Sequence, residues 1–333
     1  MSKRARIIGQ GTYLPKRVLS NHDLEKMVDT TDEWIVSRTG MRERRLADTQ
    51  ECASDMGVLA AKAALASASL SPLEIDLVLV ATMTPDYLFP STAALIQSSL
   101  GATNAAAVDI QAACTGFLYA LSMAKAYIES GRYHKVLLVA SEKMSSFVDY
   151  RDRNTCILFG DGASAAIVAS EGTGLAIEDV RLGADGSLAH LLYLPAGGGK
   201  HPTTTDTLSS NMHHLKMNGK ELFRHAVRRM GASANECLRH CSVQKEQLSW
   251  FVPHQANERI IDALADELGI SSDKVYKTVH KYGNTSASSI AIALHELSQE
   301  KSLAPDKYLL LVAFGAGLTW GASLLKPCGV NHD

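Results

Sequence analysis

The same strand interval occurs twice in this chain of 333 residues. The apolar run in Glu74-Ile-Asp-Leu-Val-Leu-Val-Ala-Thr follows a small-residue helical stretch over 53–70. A second run, Lys135-Val-Leu-Leu-Val-Ala, comes later. Gln247-Leu-Ser-Trp-Phe-Val-Pro-His, after a helical stretch over 222–239, and Lys307-Tyr-Leu-Leu-Leu-Val-Ala repeat the arrangement. Val80 and Leu138 are 58 positions apart, and Val252 and Leu311 are 59 apart. Equal spacing in two halves points to a duplicated α/β unit. Apolar runs without alternation suit strands covered on both faces, and the Ala-rich stretches 53–68 and 286–294 suit helices packed tightly between layers. The architecture expected is a five-layered α/β/α/β/α sandwich. Residues 1–172 would form one half and residues 173–333 the other, related by a pseudo-twofold.

One stretch of the first half is suited to chemistry: Val108-Asp-Ile-Gln-Ala-Ala-Cys-Thr-Gly-Phe-Leu. A strand-like run gives way to small residues, and Tyr119, Ala120, Met123, Ala124, Tyr127 and Ile128 then form a stripe at helical spacing. Cys114 falls at the strand-to-helix turn, where unpaired N–H groups and the helix dipole favour a thiolate. A free thiol titrates near ~8.5, and chemistry at neutral pH needs that value lowered. By itself the stretch fits a small cysteine filling a core gap better. Cys114 lies 34 positions beyond Val80, and Asn284 lies 32 beyond Val252, so the pseudo-twofold is expected to bring both to one central site.

Three further segments can join it. His254 ends a strand in Val252-Pro-His-Gln-Ala-Asn-Glu-Arg, and Asn284 precedes a small-residue helix in Tyr282-Gly-Asn-Thr-Ser-Ala-Ser-Ser. Phe314-Gly-Ala-Gly-Leu-Thr-Trp-Gly brings glycines whose backbone can approach a ligand closely. Singly these read as a core histidine, a helix cap and a tight turn; together they are far more specific.

Composition narrows the function classes. A net charge of −2 argues against bulk attraction to nucleic acid or membranes. No apolar run reaches the ~18 residues of a membrane span, and the N-terminus lacks the apolar region of a signal peptide. A cytoplasmic protein is expected. Cys52, Cys114, Cys156, Cys237, Cys241 and Cys328 form no CxxC framework and read as reduced thiols. Cys237, His240 and Cys241 can share a helix face, with His213-His214 upstream, but the remaining zinc spacings are missing. An amphipathic helix with incidental cysteines accounts for them better, and no metal is expected. The Gly-, Thr- and His-rich segment 195–219 shows little periodicity and reads as a surface excursion, either a lid or a mobile loop.

Taken together, these motifs resemble the thiolase superfamily of condensing enzymes, and most closely the β-ketoacyl-acyl-carrier-protein synthase III family. The resemblance runs from Gly9-Gln-Gly-Thr-Tyr-Leu-Pro through Asp32-Glu-Trp-Ile-Val-Ser-Arg-Thr-Gly-Met-Arg-Glu-Arg, Ala113-Cys-Thr-Gly-Phe and Phe159-Gly-Asp-Gly-Ala. The His254, Asn284 and Phe314 segments follow in the family's order. Cys–His–Asn with Gly-Asn-Thr-Ser-Ala at 283–287 is similar to the initiating branch, whereas elongating synthases carry Cys–His–His and thiolases Cys–His–Cys.

The resemblance implies a thiolase-like fold and an acyl-CoA thioester attacked by Cys114. Backbone donors at Cys114 and at Gly315, Ala316 and Gly317 would form the oxyanion hole. A malonyl thioester on acyl carrier protein would then lose CO₂, its enolate held by His254 and Asn284. CoA is a substrate, and no cofactor is implied. Trp34 and Arg153 match residues that sandwich adenine, and Thr30, Arg38, Gly219 and Asn257 match positions along the nucleotide and pantetheine tunnel. Asn154 departs from the family's usual Gly after that arginine. Lys220, Arg224 and Arg228 recur on one helix face. With the Gln255, Ala256, Asn257, Glu258 and Arg259 segment they would dock the acidic carrier. Met83, Met144 and Phe159 match acyl-pocket positions, and Phe89 matches the residue that crosses a homodimer interface to close the partner's pocket. The primer expected is acetyl-CoA. Two other functions fit part of the pattern: acyl transfer to an oxygen or nitrogen nucleophile, which leaves Asn284 without a task, and a non-enzymatic partner subunit, which needs none of the three residues.

Overall fold

The structure, a computed structural model, describes residues 4–329. The first half supplies β1 (Arg6–Tyr13), β2 (Arg17–Ser20), β3 (Glu43–Leu46), β4 (Leu77–Ala81), β5 (Ala106–Ile110), β6 (Lys135–Glu142) and β7 (Gly162–Ala169). The second supplies β8 (Gly174–Ala184), β9 (Leu192–Tyr193), β10 (Lys216–Met217), β11 (Leu248–Pro253), β12 (Tyr308–Gly315) and β13 (Thr319–Cys328). Strands of the first half run side by side as β1-β7-β6-β4-β5, with β4 parallel to both β5 and β6. Those of the second run as β8-β13-β12-β11, and a parallel bridge from Phe251 to Val275 lies where β5 lies in the first half. Val252 pairs with Leu311, and Val80 with Val139, so the repeated interval in the sequence is the register of one parallel strand pair in each half. The halves join at β1 and β8 through Arg6↔Ala176 and Ile7↔Leu175, which makes the two sheets one of nine strands.

Five layers result. Helices Gly116–Glu129 and Ser289–Glu300 lie between the sheets, where Phe117, Leu121, Ile290 and Leu294 share a core with Leu79, Leu138, Leu309 and Leu311. Helices Ala53–Ser67 and Thr92–Leu100 cover the outer face of the first sheet, packing on Val78, Val80 and Val139. Helices Gly219–His240 and Glu258–Leu268 cover the second, against Phe251, Leu310 and Val312. Coverage on both faces explains why β4 reads Leu-Val-Leu-Val-Ala with every residue buried. Each fully buried Val or Leu contributes about 1.5–3 kcal/mol.

The two central helices start the same way. Short 3₁₀ turns, Ala113–Thr115 and Ser286–Ser288, precede them, and each turn opens on a non-glycine residue in the left-handed region: Ala113 at φ +47° and Ser286 at φ +52°. Gly116 lets the two starts approach, because a Cβ there would lie 3.0 Å from the Ala81 Cβ and 3.2 Å from the Ala287 Cβ. Ser286 is therefore the counterpart of Ala113. The place of Cys114 in the second half is held by Ala287, not by Asn284 as the spacing suggested. Asn284 sits two residues ahead of the turn.

Segment 195–219 has more regular structure than its composition indicates. It contains helix Thr205–Ser209 and β10, which pairs with β9 (Lys216↔Tyr193, Met217↔Leu192). Cys237 packs in the outer core, whereas His240 is exposed, so the helix does not gather them into a ligand set. No helix among the described residues is long and apolar enough to cross a membrane.

Candidate active site

Cys114, His254 and Asn284 line one buried cavity of about 140 Å³ together with Phe314 and Gly315. Cys114 lies in the turn that opens helix Gly116–Glu129, and its Sγ–H donates to Ser286 Oγ at 3.5 Å. Burial pushes the thiol up to about 12, outweighing the Ser286 contact. Burial thus works against the lowering expected at a helix start. Gly315 presses on its amide, since a Cβ there would stand 2.8 Å from Cys114 N. Ala316 and Gly317 follow on the same wall, with Gly317 at φ +137°.

His254 directly follows β11, its N–H donating to the Val312 carbonyl at 2.8 Å. Its Nδ1 lies 2.6 Å from Ser289 Oγ at the start of the second central helix, and that oxygen accepts the Gln255 N–H at 3.3 Å. We assign the Ser289 hydroxyl proton to the Nδ1 contact, which places the ring's own proton on Nε2. Burial holds the imidazole at about 3, so it is neutral at physiological pH. Asn284 is fixed by backbone on both sides: its N–H donates to Leu158 O at 2.8 Å and its carbonyl accepts from Gly160 N at 3.1 Å. Its Oδ1 accepts the Ser286 N–H at 2.9 Å, leaving the side-chain NH₂ to donate.

Two larger cavities adjoin. Beyond Cys114 lies one of about 410 Å³ walled by Met83, Met144, Phe147, Phe159 and Leu215. On the other side, sharing Met217, Gly219 and Asn257 with the central cavity, a mouth of about 560 Å³ opens between Trp34, Arg38, Lys220, Arg224 and Arg259. Arg153 stacks on Trp34 with Cζ 4.6 Å from the ring centre, its Nη1 donating to Asp29 O at 2.9 Å. Arg38 lies 5.9 Å from the same ring. No aromatic ring fits between Arg153 and Trp34 at that separation, so a stacked adenine requires the guanidinium to move aside. The Thr30 hydroxyl is buried without a partner. Asn257 donates to Arg38 O at 3.2 Å and caps helix Glu258–Leu268 by accepting the Arg259 N–H at 2.9 Å. Asn154 lies in the short helix Arg153–Cys156, a backbone in which a side chain is accommodated without strain, and it lines the mouth.

Lys220, Arg224, Arg228 and Arg259 are exposed. Gln255 is not: it is 1% exposed, and its Oε1 accepts the N–H groups of Thr278 and Val279 at 2.7 and 3.0 Å. A residue so enclosed cannot meet a carrier protein, so its placement with the docking residues is corrected; it braces the strand end behind His254. Ala256 lines the central cavity, and Glu258 pairs with Lys277 Nζ at 2.8 Å instead of standing free. Phe89 is 86% exposed and does not line its own chain's cavity. Sequence reading passed over Glu142, Ser286 and Ser289. The one signal for Glu142 was a carboxylate closing the strand after the apolar run Val136–Ala140, and for Ser286 and Ser289 the hydroxyl-rich start of a buried helix.

A duplicated five-layer sandwich with Cys, His and Asn converging on a tunnel defines a thiolase-fold condensing enzyme. Comparison with known proteins fixes the branch. Residues 108–186 match 3-oxoacyl-[acyl-carrier-protein (ACP)] synthase III, and residues 238–327 match the family's C-terminal part. The chain is 56% identical over 326 residues to the β-ketoacyl-[acyl-carrier-protein] synthase III of Chlamydia pneumoniae, covering 98% of this chain and 97% of that one. The crystal structure of 3-oxoacyl-[acyl-carrier-protein] synthase III from Aquifex aeolicus VF5 superposes with a TM-score of 0.89 at 48% identity, covering 97% of this chain and 99% of the other. The priming β-ketosynthase of the R1128 polyketide pathway superposes at 0.90 with 39% identity and 98% coverage of both chains. This chain belongs to the β-ketoacyl-acyl-carrier-protein synthase III family.

Proposed function

We propose that the condensation proceeds through an acyl-Cys114 intermediate, with His254 and Asn284 holding the enolate. The reaction joins an acyl-CoA to malonyl-acyl-carrier protein with loss of CO₂, giving a 3-oxoacyl-acyl-carrier protein and starting fatty-acid synthesis. The observation that carries the assignment of roles is the placement of a thiol and two uncharged donors around one cavity between a cationic mouth and an apolar pocket. The Cys114 sulfur attacks the acyl carbonyl, and the oxyanion turns to backbone donors beside Gly315. CoA leaves through the mouth. When the malonyl thioester loses CO₂, charge gathers on its thioester oxygen, where His254 Nε2–H and the Asn284 amide can donate without carrying charge. The enolate carbon then attacks the acyl group and releases Cys114. None of these steps calls for a cofactor or metal.

Acetyl-CoA is the primer we favour. We read Trp34, Arg38, Arg153, Thr30, Gly219 and Asn257 as CoA contacts, and Lys220, Arg224, Arg228 and Arg259 as the face that meets the acidic carrier. Residues 1–172 and 173–333 are read as the two halves of a duplication, and the enzyme as cytoplasmic, in keeping with six free cysteines. A homodimer is supported by the neighbouring exposed Tyr87, Leu88 and Phe89 and by β5, an edge strand with Val108 exposed.

Intact-protein mass spectrometry after mixing with acetyl-CoA tests the reading, with Cys114→Ala alongside. An acetyl adduct on the native chain alone, discharged by malonyl-carrier protein into acetoacetyl-carrier protein, is expected. An adduct that malonyl-carrier protein leaves in place would instead indicate transfer to another nucleophile.

A further inference from the structure

We propose that Glu142 is the base that activates Cys114, taking the thiol proton through the hydroxyl of Ser286. The inference rests on Cys114 being the acylated residue. Cys114 Sγ–H donates to Ser286 Oγ at 3.5 Å, and Ser286 Oγ–H reaches Glu142 Oε1 at 3.2 Å. Glu142 ends β6 and is fully buried. Its Oε2 accepts from Met83 N–H at 3.1 Å, Thr84 N–H at 3.2 Å and Thr84 Oγ1–H at 2.7 Å. Thr82 Oγ1–H adds a contact to that oxygen at 3.3 Å, while Oε1 shares the Met83 N–H at 3.3 Å and faces Ser286, whose Oγ also lies 3.6 Å from Met83 Sδ. Ser286 stands in the left-handed region at φ +52°, with its hydroxyl between thiol and carboxylate.

In the tautomer assigned above, His254 does not take this part. Nδ1 receives the Ser289 proton, Nε2 carries its own, and a charged imidazole is strongly disfavoured where it lies. Burial raises the Glu142 carboxyl to about 7, matching a proton acceptor to neutral conditions. The titratable groups near it are Cys114, through Ser286, and the adjacent Lys143, whose ammonium turns away to the carbonyls of Asp48, Thr49 and Glu51.

In the step, the S–H proton moves to Ser286 Oγ as the serine's own proton moves to Glu142, leaving a thiolate and a carboxylic acid. The sulfur forms its bond to the acyl carbon, and the bond from that carbon to the CoA sulfur breaks. The proton held at Glu142 returns to the departing CoA sulfur, so free thiol plus acyl-CoA becomes acyl-enzyme plus CoA with no net proton change.

The test is the rate of acetyl–Cys114 formation from acetyl-CoA, followed by rapid-mixing mass spectrometry from about pH 6 to 9, in the native enzyme, Glu142→Gln and Ser286→Ala. Native loading should rise to a plateau above about pH 7; both variants should load ~10²-fold more slowly at pH 7 and climb about tenfold per pH unit without that plateau. Decarboxylation of malonyl-carrier protein by enzyme already acylated should change far less. Ser286→Ala removes only the relay hydroxyl, so it speaks even if Glu142→Gln fails to fold. Native pH dependence in Ser286→Ala, or equal loss of loading and decarboxylation, would overturn the relay. Absence of any acyl adduct on the native enzyme would instead overturn the assignment of Cys114, and the relay with it.

Discussion

The Ser289 hydroxyl stands 2.6 Å from His254 Nδ1, and this pairing decides which ring nitrogen faces the substrate with a proton. Ser289→Ala frees the ring to carry its proton on Nδ1. Losing one such hydrogen bond is worth about 1–1.5 kcal/mol, close to tenfold in rate. CO₂ release from malonyl-carrier protein is expected to fall by about that factor while acetyl adduct formation holds. Equal loss of both would mean that Ser289 only supports the fold.

Removing a donor to the enolate is more severe. Asn284→Ala and His254→Ala should each cut malonyl decarboxylation by ~10²–10³. Loading of Cys114 should suffer less, because neither side chain touches its thiol by hydrogen bond. Separate measurement of adduct and CO₂ checks the division of labour.

Gly315→Ala tests the wall of the nucleophile. The added methyl would meet Cys114 N at 2.8 Å and Thr115 N at 3.2 Å, so the turn must shift off the oxyanion donors. Slower acylation together with a lowered melting temperature is expected; unaltered acylation in the folded variant would show that these donors lie elsewhere.

Carrier docking is best probed at Arg228, which is exposed and outside the CoA mouth that Arg224 and Arg259 help to line. Arg228→Glu should raise KM for the carrier by roughly tenfold, more at low salt, and leave acetyl-CoA loading as it was. A change in both would place the effect at the mouth.

His254 also links stability to pH. Its folded-state value, about 3, lies below the 6.5 of an exposed histidine. Between those values the unfolded chain binds a proton that the native site refuses, so stability from this group is full above about pH 6.5 and falls as pH drops toward 3. His254→Asn lacks this dependence. Its melting temperature relative to the native protein should therefore improve steadily from pH 7 down to about pH 4; a constant difference would show that the imidazole is not held neutral.

Much of this molecule follows from local pattern. The repeated interval from Val80 to Leu138 and from Val252 to Leu311 is strand register, and strands buried on both faces announce themselves as unbroken apolar runs. Cys114, His254 and Asn284 stand at element ends, where a change of period marks them. Pattern misled where it had to count across loops: Asn284 was matched to Cys114, yet Ser286 shares the left-handed backbone of Ala113 and displaces that match. The docking stretch misled similarly, because sequence cannot show that Gln255 turns inward while Arg259 turns out.

By itself the sequence determined the strands, the central helices, the three reactive side chains and the basic helix face, since each depends on neighbours a few residues away. Tertiary structure decided their electrostatics. Burial raised the Cys114 thiol and kept His254 neutral, and it set Glu142 one hydroxyl away from the nucleophile across 28 positions of chain. Proton affinities inside a protein depend on solvent exclusion and on partners brought from distant strands, and neither quantity exists until the layers have packed.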